Sequence, residues 1–292
     1  MKVRWKAILL LGVCGAVSAL AQEPAPGAST AGLDKETKPL WEAGVFGGVA
    51  RLPHYRGSDQ YKVYVLPLPF LIYRGKVVEA DRDGVRGIFY KGDHLETDIS
   101  MYGTPPVGDD DQARQGMPEL DPSVEIGPAA KWYFRRGGTF AAVYLQAAVR
   151  GVVAVETGLT DAHYEGLHGA LNLILEDYVP PPGPGWKLGG NVGVDFASRR
   201  YNGYFYDVAD QYAAPGREPY RSDAGYDGLS VSAYAKRDLT PRLSLAFYTA
   251  WQYIGGAVYR DSPLVRSENN FIVGSAVIWT IAQSGQRVPA RR

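Results

Sequence analysis

The sequence predicts an all-β protein, an antiparallel transmembrane β-barrel of about 12 strands in a single domain. Apolar and polar residues alternate strictly within segments of roughly ten residues, and these segments repeat from about residue 41 to about residue 281. The turns between the segments are alternately short and long. A transmembrane barrel has this pattern because one face of each strand meets lipid while the other face lines the interior.

The alternation is clearest in the fifth predicted strand. Leu95, Thr97 and Ile99 point to one face and Glu96 and Asp98 to the other, because successive side chains of a strand alternate sides. A soluble sandwich also alternates, but its strands average roughly five or six residues. A tilted strand needs about 9 to 11 residues to cross a bilayer. The strand lengths therefore favour a membrane protein.

The strands are predicted at residues 42–51, 61–73, 76–81, 85–90, 94–103, 123–134, 139–150, 166–176, 186–197, 226–237, 242–254 and 269–281. Long links are predicted at residues 104–122, 151–165, 198–225 and 255–268. They all fall on one side, as expected for outer loops opposite short periplasmic turns. Two links fit less well, because residues 82–84 are short for an outer loop and residues 177–185 are long for a turn.

The first 21 residues are predicted to be a cleaved signal peptide. Basic residues precede an apolar run at residues 7–17, and small residues precede the predicted cleavage after Ala21. Cleavage of a lipoprotein before Cys14 is an alternative, but Val13 is a poor residue at that cleavage point. The sequence thus predicts export to the outer membrane of a Gram-negative bacterium.

Three further segments follow the predicted cleavage. Residues 22–40 read as a disordered periplasmic lead, residues 41–281 as the barrel and residues 282–292 as a basic tail. The tail is expected to be solvated, although Arg287, Arg291 and Arg292 would also suit contact with anionic lipid or murein. Without residues 1–21 the chain has 28 basic and 31 acidic residues and no cysteine, which excludes disulfides and thiolate metal sites.

No catalytic, cofactor or metal site is predicted, so the protein is not expected to be an enzyme. There are four histidines and no Gly-x-Ser-x-Gly motif. Ser100 lies about 20 Å from His94 along one strand face, too far for a catalytic dyad. His94, Glu96 and Asp98 are spaced about 7 Å apart, which suits a hydrated lumen wall better than one bound ion. Residues 109–111 are expected to form a solvated acidic loop, or to attract divalent ions that bridge lipopolysaccharide.

Three segments carry unusual residues. Pro67 and Pro69 remove two backbone donors from one strand, which indicates a kink or a locally unpaired edge. The aromatic stretch 201–206 favours a membrane-interface position, but a loop folded into the lumen would use the same residues. The turn 177–185 is a candidate docking element for a periplasmic partner, stiffened by Pro180, Pro181, Pro182 and Pro184.

Three motifs in order resemble one known family. They are residues 53–59 (PHYRGSD) followed by LPLP at 66–69, residues 226–238 followed by LTPRLS, and residues 261–265 (DSPLV). The chain resembles the MltA-interacting protein family (MipA/OmpV) of Gram-negative outer membranes. The family-like residues singled out here are Tyr55, Gly57, Ser58, Asp59, Pro67, Pro69, Asp261, Ser262 and Pro263. The resemblance implies an outer-membrane location and a scaffolding role between a murein-degrading transglycosylase and a murein synthase.

Two functions from different classes remain open. The first is a non-catalytic scaffold for periplasmic murein enzymes, and the second is a narrow porin-like channel for small solutes. The inner face is predicted to carry charges of both signs, at Lys62, Arg74, Glu96, Asp98, Glu125, Lys131, Lys187, Asp195, Lys236 and Arg242. Such charges can pair internally and seal the lumen, which favours the scaffold. Outer-membrane lipid and lipopolysaccharide are expected partners, and no nucleic acid is.

Overall fold

A computed structural model describes residues 37–74, 78–81, 84–87, 90–108, 110–137, 140–156, 161–180 and 185–289. The predicted signal peptide lies outside these residues, and so does most of the predicted lead. Three residues of the proposed docking turn, Pro181, Pro182 and Pro184, also lie outside them. These assignments therefore stay predictions.

The described residues form fifteen strands and one α-helix. The strands are β1 (Thr37–Pro39), β2 (Trp41–Pro53), β3 (Tyr61–Arg74), β4 (Val78–Asp81), β5 (Gly84–Gly87), β6 (Tyr90–Lys91), β7 (Leu95–Thr104), β8 (Ser123–Arg136), β9 (Ala142–Val155), β10 (Ala162–Tyr178), β11 (Trp186–Ala197), β12 (Gly225–Thr240), β13 (Leu243–Tyr253), β14 (Asn269–Gln283) and β15 (Arg287–Pro289). The helix, α1, spans Arg199–Tyr206, and short 3₁₀ turns lie at Gln112–Arg114 and Asp210–Tyr212. None of the described helices is both long and apolar enough to cross a membrane.

One antiparallel sheet contains thirteen of these strands, in the order β5-β4-β3-β2-β14-β13-β12-β11-β10-β9-β8-β7-β6. Its two ends, β5 and β6, are separated along the chain only by residues 88–89. Side chains from β2 and from every strand between β7 and β14 line one central cavity. The sheet is therefore a barrel, as predicted, and the single strand predicted at 85–90 corresponds to β5 and β6.

The two faces of the wall have opposite polarity. On β8, Ile126 and Trp132 are 46% and 51% exposed on the outer face, whereas Glu125 and Lys131 are 0% and 6% exposed on the inner face. A soluble protein buries its apolar side chains, but a barrel in lipid turns them outward. The predicted alternation is confirmed on this strand, and β9 and β10, the next two strands of the sheet, expose Val149 and Leu171 in the same way.

The links sort to the two ends of the barrel as predicted, but the link predicted to be long at residues 151–165 is short, because β9 continues to Val155 and β10 begins at Ala162. Residues 105–122, 198–224 and 254–268 connect strands at one end of the barrel, which we call the loop end. The links at 92–94, 137–141 and 241–242 are short and lie at the other end, the turn end. Both chain ends of the barrel, at Trp41 and Gln283, also lie at the turn end, because β2 and β14 are antiparallel neighbours. In a bacterial barrel the turn end is periplasmic.

The wall has a seam between β3 and β7. β3 pairs with β2 along its whole length without a register shift, but it pairs with β4 only at Tyr73 and Arg74. Among the described residues, no strand pairs with residues 61–69 on the side away from β2. β7 likewise pairs with β6 only at Glu96 and Thr97. Pro67 and Pro69 lie on this edge, so the stretch is locally unpaired rather than kinked.

The chain leaves the turn end as a two-stranded sheet. β1 pairs with β15, and Thr37 lies opposite Pro289 while Pro39 lies opposite Arg287. The amide of Leu40 donates to the Gln286 carbonyl at 2.8 Å, which joins this sheet to the barrel. The predicted disorder therefore does not hold for residues 37–39, because each segment satisfies the other's backbone groups. Arg287 of the tail is exposed, in agreement with the predicted solvation.

Candidate functional site

Buried charges on β7, β8 and β9 are paired with one another on the inner face. Lys131 Nζ lies 2.7 Å from Asp98 Oδ2, and Arg150 Nη1 lies 3.3 Å from Glu125 Oε2. All four side chains are buried. A buried charge is tolerated when it is paired and hydrogen-bonded. The predicted internal pairing is thus present between β7, β8 and β9.

Helix α1 closes the loop end of the lumen. Ser198 begins it, because the Ser198 hydroxyl accepts from the Tyr201 amide, as an N-cap residue does. Tyr201, Phe205 and Tyr206 are buried and line the central cavity. The favoured prediction, a membrane-interface position for residues 201–206, is therefore wrong, and the alternative of a loop folded into the lumen describes the structure.

Contacts from other loops hold α1 in place. The Tyr206 hydroxyl donates to the Arg56 carbonyl at 2.8 Å, and the Ser262 hydroxyl donates to the Tyr206 carbonyl at 2.7 Å. The Tyr206 and Tyr259 rings stack with their centroids 3.6 Å apart. Burial raises the pKa of both tyrosines well above its ordinary value, so their hydroxyls stay protonated. The plug is therefore bonded to two separate loops.

Two of the family-like motifs meet beside α1. The Tyr55 hydroxyl donates to the Leu264 carbonyl at 2.7 Å, although 209 positions separate the two residues. The Gly57 amide donates to Asn270 Oδ1 at 2.6 Å, and the Asn270 side-chain amide donates to the Ser58 carbonyl at 2.7 Å. Gly57 has a φ of +97°, which favours glycine. Residues 53–59 and 261–265 thus form one loop cluster at the loop end.

Asp111 belongs to this loop cluster rather than to the solvent. It is fully buried, accepts from His54 and from the Ser58 hydroxyl at 3.0 Å each, and caps the 3₁₀ turn Gln112–Arg114. The prediction of a solvated loop is wrong for Asp111. Asp110 is exposed and pairs with Lys62 at 3.1 Å, and this hydrogen bond lowers the pKa of Asp110.

The remaining predicted site residues are dispersed. Asp59 and Asp261 are exposed at the loop end, where Pro263 is half-buried. Pro180 is half-buried just beyond β10 at the turn end. The structure does not bring the predicted docking residue near the family-like motifs. Any partner of the turn end would therefore meet a surface separate from the loop cluster.

Deeper in the lumen, a group of charged residues lies below α1. His168 Nδ1 lies 2.7 Å from Glu125 Oε2, and the His168 ring stacks on Tyr201. His168 Nε2 faces Asp195 Oδ1 at 3.9 Å and Asp227 Oδ2 at 3.7 Å. We call Glu125, His168, Asp195, Asp227 and Arg56 the lumen cluster. All of them except the half-buried Arg56 are buried.

Arg56 connects this cluster to the loop cluster. Its guanidinium donates to Asp195 Oδ2 at 2.8 Å and to Asp227 Oδ2 at 3.2 Å. Burial opposes the charge of Arg56, but the two carboxylates outweigh it and raise the pKa of Arg56 well above its ordinary value. Sequence analysis did not single out Arg56, His168 or Asp227. Arg56 lies within the motif at 53–59 and Asp227 within the motif at 226–238. The motifs therefore included both residues but did not indicate that their side chains meet.

The cavity below α1 has a volume of about 320 Å³. The lumen cluster forms part of its wall, and the rest includes the side chains of Tyr102, Gln146, Asn172 and Asn191. The cavity therefore lies inside the barrel, and its wall carries both polar and apolar side chains.

Comparisons with known proteins agree on the type of protein. The family model described as "MltA-interacting protein MipA" matches residues 45–281. The chain is similar to outer membrane protein Omp26La of Vibrio anguillarum, with 25% identity over 82% of this chain and 84% of that protein. It is similar to outer membrane protein OmpV of Vibrio cholerae serotype O1, with 24% identity over the same shares.

Two solved structures align with most of the chain at low TM-scores. The outer membrane protease OmpT of Escherichia coli aligns over 85% of this chain and 99% of its own, with 13% identity and a TM-score of 0.29. The monoaromatic hydrocarbon channel CymD aligns over 95% of this chain and 100% of its own, with 12% identity and a TM-score of 0.34.

Proposed function

Because this chain belongs to the MltA-interacting protein MipA family, we propose that it is a non-catalytic barrel that docks murein enzymes at its periplasmic end. Its relatives are outer-membrane proteins of Gram-negative bacteria, and the protein is itself an outer-membrane β-barrel. The family description names a partner, MltA, and the proposed partners of this chain are a murein-degrading transglycosylase and a murein synthase.

The observation that carries the proposal is the closed lumen. Tyr201, Phe205 and Tyr206 of α1 fill the loop end, and all three are buried. The Lys131–Asp98 and Arg150–Glu125 pairs tie the polar wall together below the helix. A conducting barrel needs a continuous water-filled path, and paired charges around a plug oppose one. The barrel then serves best as an anchor for surfaces outside it.

The turn end supplies such surfaces. The sheet of β1 and β15 extends beyond the barrel there, next to the strand ends at Trp41 and Ser284. The proline-rich turn that follows Tyr178 lies at the same end. The prolines that are predicted to stiffen this turn would reduce the conformational entropy lost when a partner binds it. The turn and the small sheet are therefore the proposed docking elements.

Deleting residues 179–185 and closing the turn with two glycines tests the docking surface. We expect the variant to insert normally, because the described strands β10 and β11 keep their pairing, and to lose most of its crosslinking to a purified periplasmic transglycosylase. A matched control deletes residues 157–160, between β9 and β10 at the opposite end, and should crosslink like the parent. Equal crosslinking of parent and turn-deleted barrel would refute docking through this turn.

A narrow channel is the second candidate, and the cavity of about 320 Å³ within the lumen is the observation that favours it. Movement of α1 would connect this cavity to the loop end, because the helix forms part of the cavity wall. Conduction in the unmodified barrel would require such movement. The two candidate functions therefore differ in whether α1 keeps its hydrogen bonds to the other loops in the unmodified barrel.

A further inference from the structure

Three residues of the lumen cluster come from three neighbouring strands. His168 lies on β10, Asp195 on β11 and Asp227 on β12, and all three side chains are buried. One ligand-type atom from each residue lies within 4.8 Å of the other two. A nitrogen and two carboxylate oxygens therefore converge on one point of the inner wall.

A β-bulge produces this convergence. Asp195 pairs with Gly228, whereas Phe196 pairs with Tyr226, so Asp227 is the extra residue of β12. The bulge turns Asp227 into the lumen beside Asp195, and bulges commonly re-aim a side chain in this way. Gly228 has a φ of +137°, and a Cβ there would lie 3.2 Å from Arg56 Nη1. Glycine thus provides both the bulge conformation and the space for Arg56.

Hydrogen bonds fix the direction of the imidazole. When His168 Nδ1 carries its proton, it donates to Glu125 Oε2 at 2.7 Å, and the lone pair of Nε2 then points at the two aspartates. A carboxylate behind a histidine is the usual way in which proteins orient a metal-ligating imidazole. Among the described residues, no hydrogen-bond partner reaches the buried Nε2 atom of His168 or the buried Oδ1 atom of Asp227.

Charge in the cluster favours an additional cation. The carboxylates of Glu125, Asp195 and Asp227 face two guanidinium groups, those of Arg56 and Arg150. When the imidazole is neutral, these three carboxylates and two guanidinium groups have a net charge of −1. Arg56 donates to one oxygen of each aspartate, and so it holds both carboxylates in place. Protonation of His168 would also balance the charge, so a proton is the competing occupant.

We propose that His168, Asp195 and Asp227 form a binding site for a divalent transition-metal ion of the zinc type, oriented by Glu125 and open to the lumen cavity. Imidazole nitrogen together with carboxylate oxygen suits zinc, whereas calcium and magnesium prefer oxygen ligands alone. Tetrahedral ligands at zinc lie about 3.4 Å from one another, given bond lengths of roughly 2.1 Å. The His168 Nε2 to carboxylate distances of 3.7 and 3.9 Å need only a small inward shift.

Zinc titration of the refolded barrel in detergent tests the site. We expect isothermal titration calorimetry, after chelator treatment and dialysis, to give one equivalent of bound Zn²⁺ that Mg²⁺ does not displace. His168→Gln should weaken this binding at least tenfold, and Glu125→Gln should weaken it by about 10 to 100 fold, as loss of an orienting partner does.

His163→Gln is the matched control. His163 also has a carboxylate beside it, with Asp161 at 3.3 Å, but both side chains are exposed and lie outside the lumen cluster. This variant should bind Zn²⁺ like the parent. If the signal disappears in His163→Gln and persists in His168→Gln, the bound ion is adventitious and the proposal fails. Absence of saturable binding by the folded parent would also overturn it.

A variant that fails to fold is recognised by the loss of its heat-modifiable mobility on gels. The titration then uses Asp227→Asn in place of the unfolded variant, because asparagine keeps the shape of the aspartate side chain. A second measurement needs no variant, because Zn²⁺ should raise the unfolding temperature of the parent while Mg²⁺ leaves it unchanged. A proton-only site would give the same unfolding temperature with either ion, and that result contradicts the proposal.

Discussion

Single buried polar residues at the loop end hold segments that are far apart in the sequence. Asn270 is fully buried on β14, where it accepts from the Gly57 amide and donates to the Ser58 carbonyl. No apolar residue can satisfy both backbone groups, and an unsatisfied buried group costs about 1 to 3 kcal/mol. The asparagine therefore fastens the first loop to the last long strand.

Replacing Asn270 by alanine should lower the free energy of unfolding by at least about 2 kcal/mol, because two buried backbone groups lose their partner. Urea unfolding of the barrel in lipid vesicles measures the change. Asn269→Ala is the neighbouring control, since Asn269 is exposed and its bond from Trp251 Nε1 lies at the surface. The control should cost about 0.5 kcal/mol or less. Similar losses for both variants would contradict the role given to Asn270.

The contacts between residues at the loop end could not be predicted from local sequence patterns. Sequence analysis took residues 53–59 and 261–265 as separate turn motifs, because glycine, proline and aspartate favour turns wherever they occur. Their contact depends on the closure of the barrel, which brings Gly57 and Asn270 together. The bulge at Asp227 was invisible for a similar reason, because a one-residue change in pairing leaves no local trace.

At the scale of elements, the strands were predictable and the plug was not. Apolar and polar alternation is a local property, and strands such as β8 and β11 lie within a few residues of their predicted positions. Aromatic residues suit both a membrane interface and a lumen plug, so the composition of residues 201–206 does not distinguish the two. The N-capping Ser198 was the one local signal for a helix.

The seam is the least protected part of the wall. The Gln60 carbonyl accepts from the His54 amide, so even-numbered residues at the start of β3 bond to β2. The odd-numbered residues therefore present their backbone groups to the seam, and Pro67 and Pro69 remove two of those donors. Edge strands in native proteins commonly carry proline for this purpose, because it prevents unwanted pairing.

Hydrogen exchange measured residue by residue should detect this seam. We expect the amides of Val63 and Val65 to exchange at least about ten times faster than the amide of Tyr64. Of these three amides, only that of Tyr64 bonds to a neighbouring strand. Val45 and Val49 on β2 provide a comparison, since β2 lies between two strands. Equal protection along residues 63–65 would contradict an open edge and indicate that another segment covers it.

For the whole molecule, the polarity of the wall and the closure of the lumen have different consequences. The exposed apolar band fixes the barrel in the membrane, whereas the buried charges and α1 determine whether anything passes through it. The sequence predicted charges of both signs on the inner face. The structure adds that α1 lies at the loop end of the barrel, above these charges. A closed barrel with structured surfaces at the turn end is consistent with a docking role.

Single-channel conductance of the refolded barrel in a planar bilayer tests the closed lumen most directly. We expect the unmodified barrel to insert and stay silent, and a variant with residues 199–206 replaced by a Gly/Ser linker of equal length to conduct. The variant serves as the positive control for insertion and detection. Steady openings of the unmodified barrel would contradict the account and favour the channel.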